Sequence, residues 1–480
     1  MRNQLKKQKR KKAQKSNLKK DMKILFVSLG CDKNRVDTEV MLGMLESHGY
    51  DFTDDTDEAE AAVVNTCCFI GDAKEESINT ILEMAEYRKS GKYKALIVTG
   101  CLGQRYKEEI QKEIPEVDEI LGISSIDKIV QALDETLKRN ELFSHKNYFD
   151  DVNKLQRGGY KRVMTTGGVY NYLKIAEGCD KRCTYCIIPS IRGSYRSIPM
   201  EDILKDARSL AEAGVSELLV VAQETTLYGT DIYGEKKLPE LLHKICEIDG
   251  IKWIRVLYCY PEEINEELIQ TIKNEPKICH YLDLPIQSGS DSVLKRMGRR
   301  TNNAEIRELV KHLREEIPDI CLRTTLISGF PGETAKDHNE TMKLVEDLRF
   351  DRLGVFTYSQ EEDTPAATMP DQVSERVKTT RRNKLMKLQQ KIAFEGADSM
   401  VGKTVDVIIE GKIVDEEASS LDGFTYVGRT YKDAPDIDGY VFVSGVQKDL
   451  MSGAILKVLI TGSNEYDLVG EEAETYEFTE

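Results

Sequence analysis

Short apolar runs alternate with helix-spaced stripes along most of this chain. KILFVSLG (23–30), AAVVNT (61–66) and ALIVTG (95–100) are apolar and rich in β-branched residues, and the segments between them, VDTEVMLGMLESHG and AKEESINTILEMAEYRKSG, carry helical spacing. Strands alternating with helices of this length predict βαβ units and a parallel sheet over residues 22–145. After a linker (146–167) the alternation resumes over 168–373, with strand candidates YNYLKIA, SELLVVAQ, WIRVLYC, YLDLPIQ, LRTTLISGF and RLGVFTYS. Six such units predict a partial, open (β/α)6 barrel, with its chemistry at the C-terminal ends of the strands. Residues 374–398 read as one connecting helix with Ser374 as N-cap. Over 399–470 the pattern turns short and strand-rich, as in a small β-barrel. The fold class is therefore α/β, in three domains: a parallel α/β domain, a partial (β/α)6 barrel and a small β-barrel.

Composition agrees with this division. A chain of 480 residues has room for about three domains of roughly 150 residues each. No run approaches the ~18 apolar residues of a membrane helix, and the N-terminus lacks the apolar core of a secretory signal. Eleven cysteines without an export signal read as reduced thiols or metal ligands in a cytoplasmic protein. The charge is uneven. The net charge is −15, yet residues 1–23 hold eleven Lys/Arg against Asp21 alone. The leader 1–21 is expected to be disordered and able to touch RNA phosphates, and Met22 is an alternative start. At the other end, residues 399–480 hold six Lys/Arg against seventeen Asp/Glu, ending in an acidic tail, 471–480. A module that binds tRNA should carry a basic face, whereas this balance suits a cationic protein partner.

The cysteines carry the candidate chemistry. Cys179, Cys183 and Cys186 stand in EGCDKRCTYCIIPS with C-x3-C-x2-C spacing, and Tyr185 precedes the last. Thiolates are the usual ligands of iron–sulfur clusters, and a four-iron cube normally takes four. Three ligands leave one iron open, as catalytic metal sites keep a position for substrate. Zinc usually takes a fourth, paired ligand, and no CxxC partner stands elsewhere. A second set of three is dispersed: Cys31, Cys67 and Cys101 each follow one of the first three strands. Ligands of open α/β sheets bind outside the carboxyl ends of the strands, so topology brings these three to one edge. Cys68 competes with Cys67, but successive side chains of an extended segment diverge. Cys246, Cys259, Cys279 and Cys321 lie in apolar contexts and read as core. In the barrel, Gln223 and Glu224 end the second strand, and Gln287, Ser288 and Gly289 the fourth. The fifth runs into GFPGE (329–333), where Gly-rich backbone can approach a cofactor.

The stretches VSLGCDKNRVDTE, VVNTCCFI, VTGCLGQRY and EGCDKRCTYCIIPS resemble the motifs of the radical S-adenosylmethionine (SAM) methylthiotransferase family, and the resemblance covers the chain from Met22. It implies an N-terminal cluster domain, a radical-SAM barrel and a C-terminal TRAM domain. Two 4Fe–4S clusters are implied, one on Cys179, Cys183 and Cys186 and an auxiliary one on Cys31, Cys67 and Cys101. Two SAM molecules per product follow, one a methyl donor and one a radical source. SAM contacts are expected from Tyr185, Gln223, Glu224, Gln287, Ser288, Gly329, Gly332 and Glu333, with no acid/base side chain. CIIPSIRG (186–193) and GRTYKDAPDIDG (428–439) resemble the branch that modifies the β-carbon of an aspartate in ribosomal protein S-twelve; the other branch modifies an adenosine of tRNA. The partners implied are that protein or the small ribosomal subunit, and a reductant such as flavodoxin or ferredoxin. Gly is more usual in the family after the cysteine at 67, and the basic leader lies outside the family pattern. An iron–sulfur scaffold or a zinc-holding structural protein are the rival classes.

Overall fold

The computed structural model describes residues 22–139, 145–154, 158–413 and 423–473. The basic leader 1–21 and positions 474–480 of the acidic tail lie outside the described residues. The chain divides into two units. One takes Met1–Thr165, Glu177–Lys181 and Ile187–Ile198, and the other takes Thr166–Ala176, Arg182–Cys186 and Pro199–Glu480.

The first unit is built on a six-stranded parallel sheet. Its strands are β1 (Lys23–Ser28), β2 (Asp51–Thr53), β3 (Ala61–Thr66), β4 (Ala95–Thr99), β5 (Glu119–Leu121) and β6 (Lys146–Tyr148), in the order β2-β1-β3-β4-β5-β6. Both faces are covered. Ile24, Val63 and Ile97 pack with Met41, Leu45 and Leu133, and Leu25, Val64 and Val98 pack with Ile81, Met84 and Leu102. Burial on both faces is why these strands read as continuous apolar runs and not as alternating ones. Helices Asp32–Ser47 and Gly71–Lys89 fall where the helical stripes lie. Three strands were not visible in the pattern. β2, β5 and β6 have three residues each, too few to show a period. One of them, β6, pairs with β5, so the segment expected to be linker from 146 begins inside the sheet.

The second unit holds a six-stranded parallel sheet and a closed barrel. The sheet strands are β7 (Tyr170–Lys174), β8 (Glu217–Val221), β9 (Trp253–Val256), β10 (Ile278–Asp283), β11 (Cys321–Ser328) and β12 (Arg352–Thr357), in simple sequential order. All six follow the sequence reading, with β10 three residues earlier than expected. Helix Glu375–Asp398 has Ser374 at its N-cap, without a side-chain cap bond. Five further strands close the barrel: β13 (Thr404–Ile413), β14 (Phe424–Thr430), β15 (Val441–Val446), β16 (Ile455–Asn464) and β17 (Asp467–Glu472). Among the described residues no helix is long and apolar enough to cross a membrane.

The small barrel is anchored to the N-terminal ends of the parallel strands by buried charge. Glu217, at the start of β8, accepts from Arg255 Nε at 2.8 Å and from Arg429 Nη2 at 2.6 Å. Burial alone would raise the Glu217 carboxyl, but the guanidiniums of Arg429 and Arg255 outweigh it and hold it ionised. Breaking one partner of such a set costs about 3–5 kcal/mol, because the remaining charge is left buried. The following loop extends the anchor: Asp433 pairs with Arg352, Tyr170 donates to Asp436 at 2.5 Å and Tyr281 donates to Asp438 at 3.0 Å. The acids of DAPDIDG therefore serve the fold. Among the described residues of the small barrel, Asp406, Asp436, Asp449, Glu465 and Glu471 are exposed.

Candidate metal centres

Strand register places the dispersed cysteines together. Ser28 lies beside Asn65, and Asn65 beside Thr99; one residue further, Thr66 bridges to Gly100. Cys31, Cys67 and Cys101 follow these positions at three neighbouring strand ends. Cys31 is the N-cap of helix Asp32–Ser47, and Cys101 lies in the first turn of helix Gly100–Arg105. Two glycines permit the approach. Gly30 has φ +90, and a Cβ there would stand 2.6 Å from the Cβ of Cys67. Gly100 has φ +87, and its Cβ would stand 2.3 Å from the Thr66 carbonyl. L-side chains are strained at such φ.

A buried polar network ties the three ends. Asn34 donates to the carbonyls of Leu29, at 3.0 Å, and Thr66, at 2.9 Å. Asn65 donates to Asn34 O and to Thr38 Oγ1, both at 2.9 Å. Arg192 closes the network: its Nη2 lies 2.5 Å from Asn34 Oδ1 and 3.5 Å from Cys101 Sγ. Cys31 is exposed, whereas Cys67 and Cys101 are buried. Burial pushes the Cys67 and Cys101 thiols up, with Arg192 pulling each back. A coordinated cation removes such a proton outright. Cys68 is different. It is packed with Ile81, Met84 and Leu102, and burial pushes its thiol up to about 12, against Arg105.

The local set lies in the loop 178–187, which has only a turn at 184–185. The Cys179 amide donates to Gly193 O at 3.1 Å. The Cys186 amide donates to Cys183 O at 3.0 Å, and Thr184 is held by the Met297 and Arg296 carbonyls. Cys179 and Cys183 are buried and Cys186 is half-buried. Cys183 Sγ lies 3.8 Å from the Tyr260 hydroxyl, and the Arg299 guanidinium covers the Tyr260 ring at 4.3 Å. Nε and Nη1 of Arg299 are buried with no hydrogen-bond partner among the described residues, an arrangement that suits an anionic occupant nearby. Tyr185 is half-buried and meets Phe330 edge-on at 6.4 Å.

Among the described residues no three His, Cys, Asp or Glu side chains converge closely enough to chelate one metal ion. In a four-iron cube each thiolate takes its own iron, so the three thiols of a set need not meet at one point. The donor chemistry, three thiols in each set, fits such clusters.

The C-terminal ends of β8 to β11 carry the expected polar groups. Gln223 is half-buried and Glu224 fully buried, with Glu224 Oε1 accepting from the Thr226 amide at 3.0 Å. Tyr258 and Gln287 both hold positive φ, +60 and +68, strain of the kind that clusters at functional ends of strands. Ser288 is buried, near Thr341 Oγ1 at 3.4 Å. The GFPGE turn is held from within. Glu333 accepts from the Gly329 amide at 3.0 Å and from Arg381 at 2.7 Å, and Arg296 donates to Gly332 O at 2.9 Å. Cys259, Cys279 and Cys321 are buried, and Cys246 is half-buried. Asn34, Arg192, Tyr260 and Arg299 were not singled out by the sequence. Asn34 and Arg192 stand inside the quoted motifs, but no spacing ties either to a distant cysteine.

Three family profiles match the chain: the uncharacterized protein family UPF0004 over residues 23–122, the radical SAM superfamily over 173–345 and the TRAM domain over 401–472. In fold the chain is similar to the radical S-adenosylmethionine methyltransferase TsrM from Kitasatospora setae, solved with cobalamin and a 4Fe–4S cluster. The TM-score is 0.54 at 14% identity, covering 72% of this chain and 74% of that one. In sequence it is similar to proteins named ribosomal protein uS12 methylthiotransferase RimO. The relative from Lachnoclostridium phytofermentans is 60% identical, covering 94% of this chain and 99% of the relative. Those from Acetivibrio thermocellus and Geobacter sulfurreducens are 48% and 49% identical, each covering 94% of this chain and 98% of the relative. With motifs, domain order and near-full-length identity in agreement, the chain belongs to the RimO family of ribosomal protein uS12 methylthiotransferases.

Proposed function

We propose that this protein methylthiolates the β-carbon of an aspartate in ribosomal protein S12. The observation that carries the reading is the 60% identity to a RimO protein over 99% of that relative's length. The tRNA-adenosine reading has no observation in its favour. The chain uses SAM and 4Fe–4S clusters, which supply one-electron cleavage of SAM, a methyl group and a sulfur site. Cys179, Cys183 and Cys186 hold one cluster in this reading, and Cys31, Cys67 and Cys101 hold the other. The aspartate β-carbon hydrogen is unactivated, so no acid or base side chain is assigned a step; the protein binds, orients and excludes water.

SAM contacts are assigned to Tyr185, Gln223, Glu224, Gln287 and Ser288 at the strand ends. Gly329, Gly332 and Glu333 are assigned to the same cofactor through the turn they form, since the Glu333 carboxylate already serves Gly329 and Arg381. The surroundings proposed with this chemistry are a reducing cytoplasm, a flavodoxin- or ferredoxin-type electron donor, and RNA contact by the basic leader. Anaerobically reconstituted enzyme, incubated with SAM, reductant and either S12 or tRNA, tests the reading by mass spectrometry. A methylthio group on an S12 aspartate is expected. Modification of tRNA alone would contradict it.

A further inference from the structure

Arg192 is only 1% exposed, and both terminal nitrogens of its guanidinium are engaged. Nη1 donates to Glu177 at 2.8 Å and lies 3.7 Å from Asp37. Nη2 reaches Asn34 Oδ1 at 2.5 Å and Cys101 Sγ at 3.5 Å. Because Arg192 occupies the oxygen of the Asn34 amide, the amide's nitrogen points at Leu29 O and Thr66 O. Those carbonyls precede Cys31 and Cys67, so one side chain governs all three strand ends.

We propose that Arg192 is a positioning residue for the centre on Cys31, Cys67 and Cys101: it donates a hydrogen bond to the Cys101 sulfur, supplies a buried positive charge beside it and orients Asn34. The proposal rests on the reading of those cysteines as cluster ligands. N–H donors and positive charge at cluster sulfurs favour the reduced, more negative form and so raise its potential. Glu177 and Asp37 approach Nη1 and keep the fork oriented, leaving Nη2 to Asn34 and the Cys101 sulfur. Lysine cannot reproduce this. Its ammonium is a point charge, whereas the guanidinium spans two acceptor groups in a fixed plane.

The test uses the full chain with Cys179, Cys183 and Cys186 all changed to Ala, so that a single centre remains. After anaerobic reconstitution, iron is counted and the midpoint potential is followed by electron paramagnetic resonance, with and without Arg192→Lys or Arg192→Met. The parent should hold about four irons. Both substitutions should move the midpoint to a more negative value and change the spectrum, the Met variant more than the Lys variant. A parent that binds no iron sinks the ligand assignment itself and leaves Arg192 no sulfur to act on. A parental midpoint and spectrum in iron-loaded variants overturns the role of Arg192. Where Arg192→Met does not fold, Arg192→Lys keeps the charge, and a parental midpoint in that variant alone overturns it.

Discussion

In the proposed reading, the two cysteine sets reach similar chemistry by opposite routes. Cys179, Cys183 and Cys186 fall within eight consecutive residues, whereas Cys31, Cys67 and Cys101 span seventy-one. The local set needs only a loop, pinned at Thr184 by the Met297 and Arg296 carbonyls. The dispersed set needs a correctly registered sheet, two glycines at positive φ and the Asn34–Arg192 network. A spacing-coded site is exposed to damage at its own residues. A topology-coded site is exposed to damage anywhere that shifts a strand end.

The sharpest way to break the comparison is to remove one thiol from each set. Cys183→Ala should abolish SAM cleavage and with it all product, read as loss of 5′-deoxyadenosine by chromatography. Cys101→Ala should abolish methylthiolated product while deoxyadenosine formation continues; product from that variant would count against the assignment. Gly100→Ala touches no sulfur, yet its methyl group would meet the Thr66 carbonyl at 2.3 Å. A strained backbone of this kind costs on the order of 1–3 kcal/mol. Iron should fall in the dispersed centre, with SAM cleavage spared. The smallest effect is expected from Cys68→Ala, a core position. It should destabilise by about 1 kcal/mol, seen as a lower unfolding midpoint, and leave iron content and product unchanged.

The sequence made the local set legible as a candidate because three thiols share one short spacing. It also exposed the three strand-end cysteines, because each follows an apolar run in the same way. Arg192 was illegible in physical terms. Its place in the motif says nothing of Cys101, ninety-one positions earlier, and only the folded chain gives the 3.5 Å contact. The pairing of the DAPDIDG acids was illegible for a related reason. A count of charge cannot distinguish a carboxylate facing solvent from Asp433 paired with Arg352. Strands as short as β2, β5 and β6 left no periodicity to read.

The central claim is that the chain carries two separate three-thiolate centres. Iron and sulfide counting after anaerobic reconstitution tests it most directly, comparing the native chain with a variant in which Cys31, Cys67 and Cys101 are all Ala. About eight irons in the native chain, about four in the variant, and undiminished SAM cleavage in both are expected. About four irons in both, or eight in both, would contradict the account.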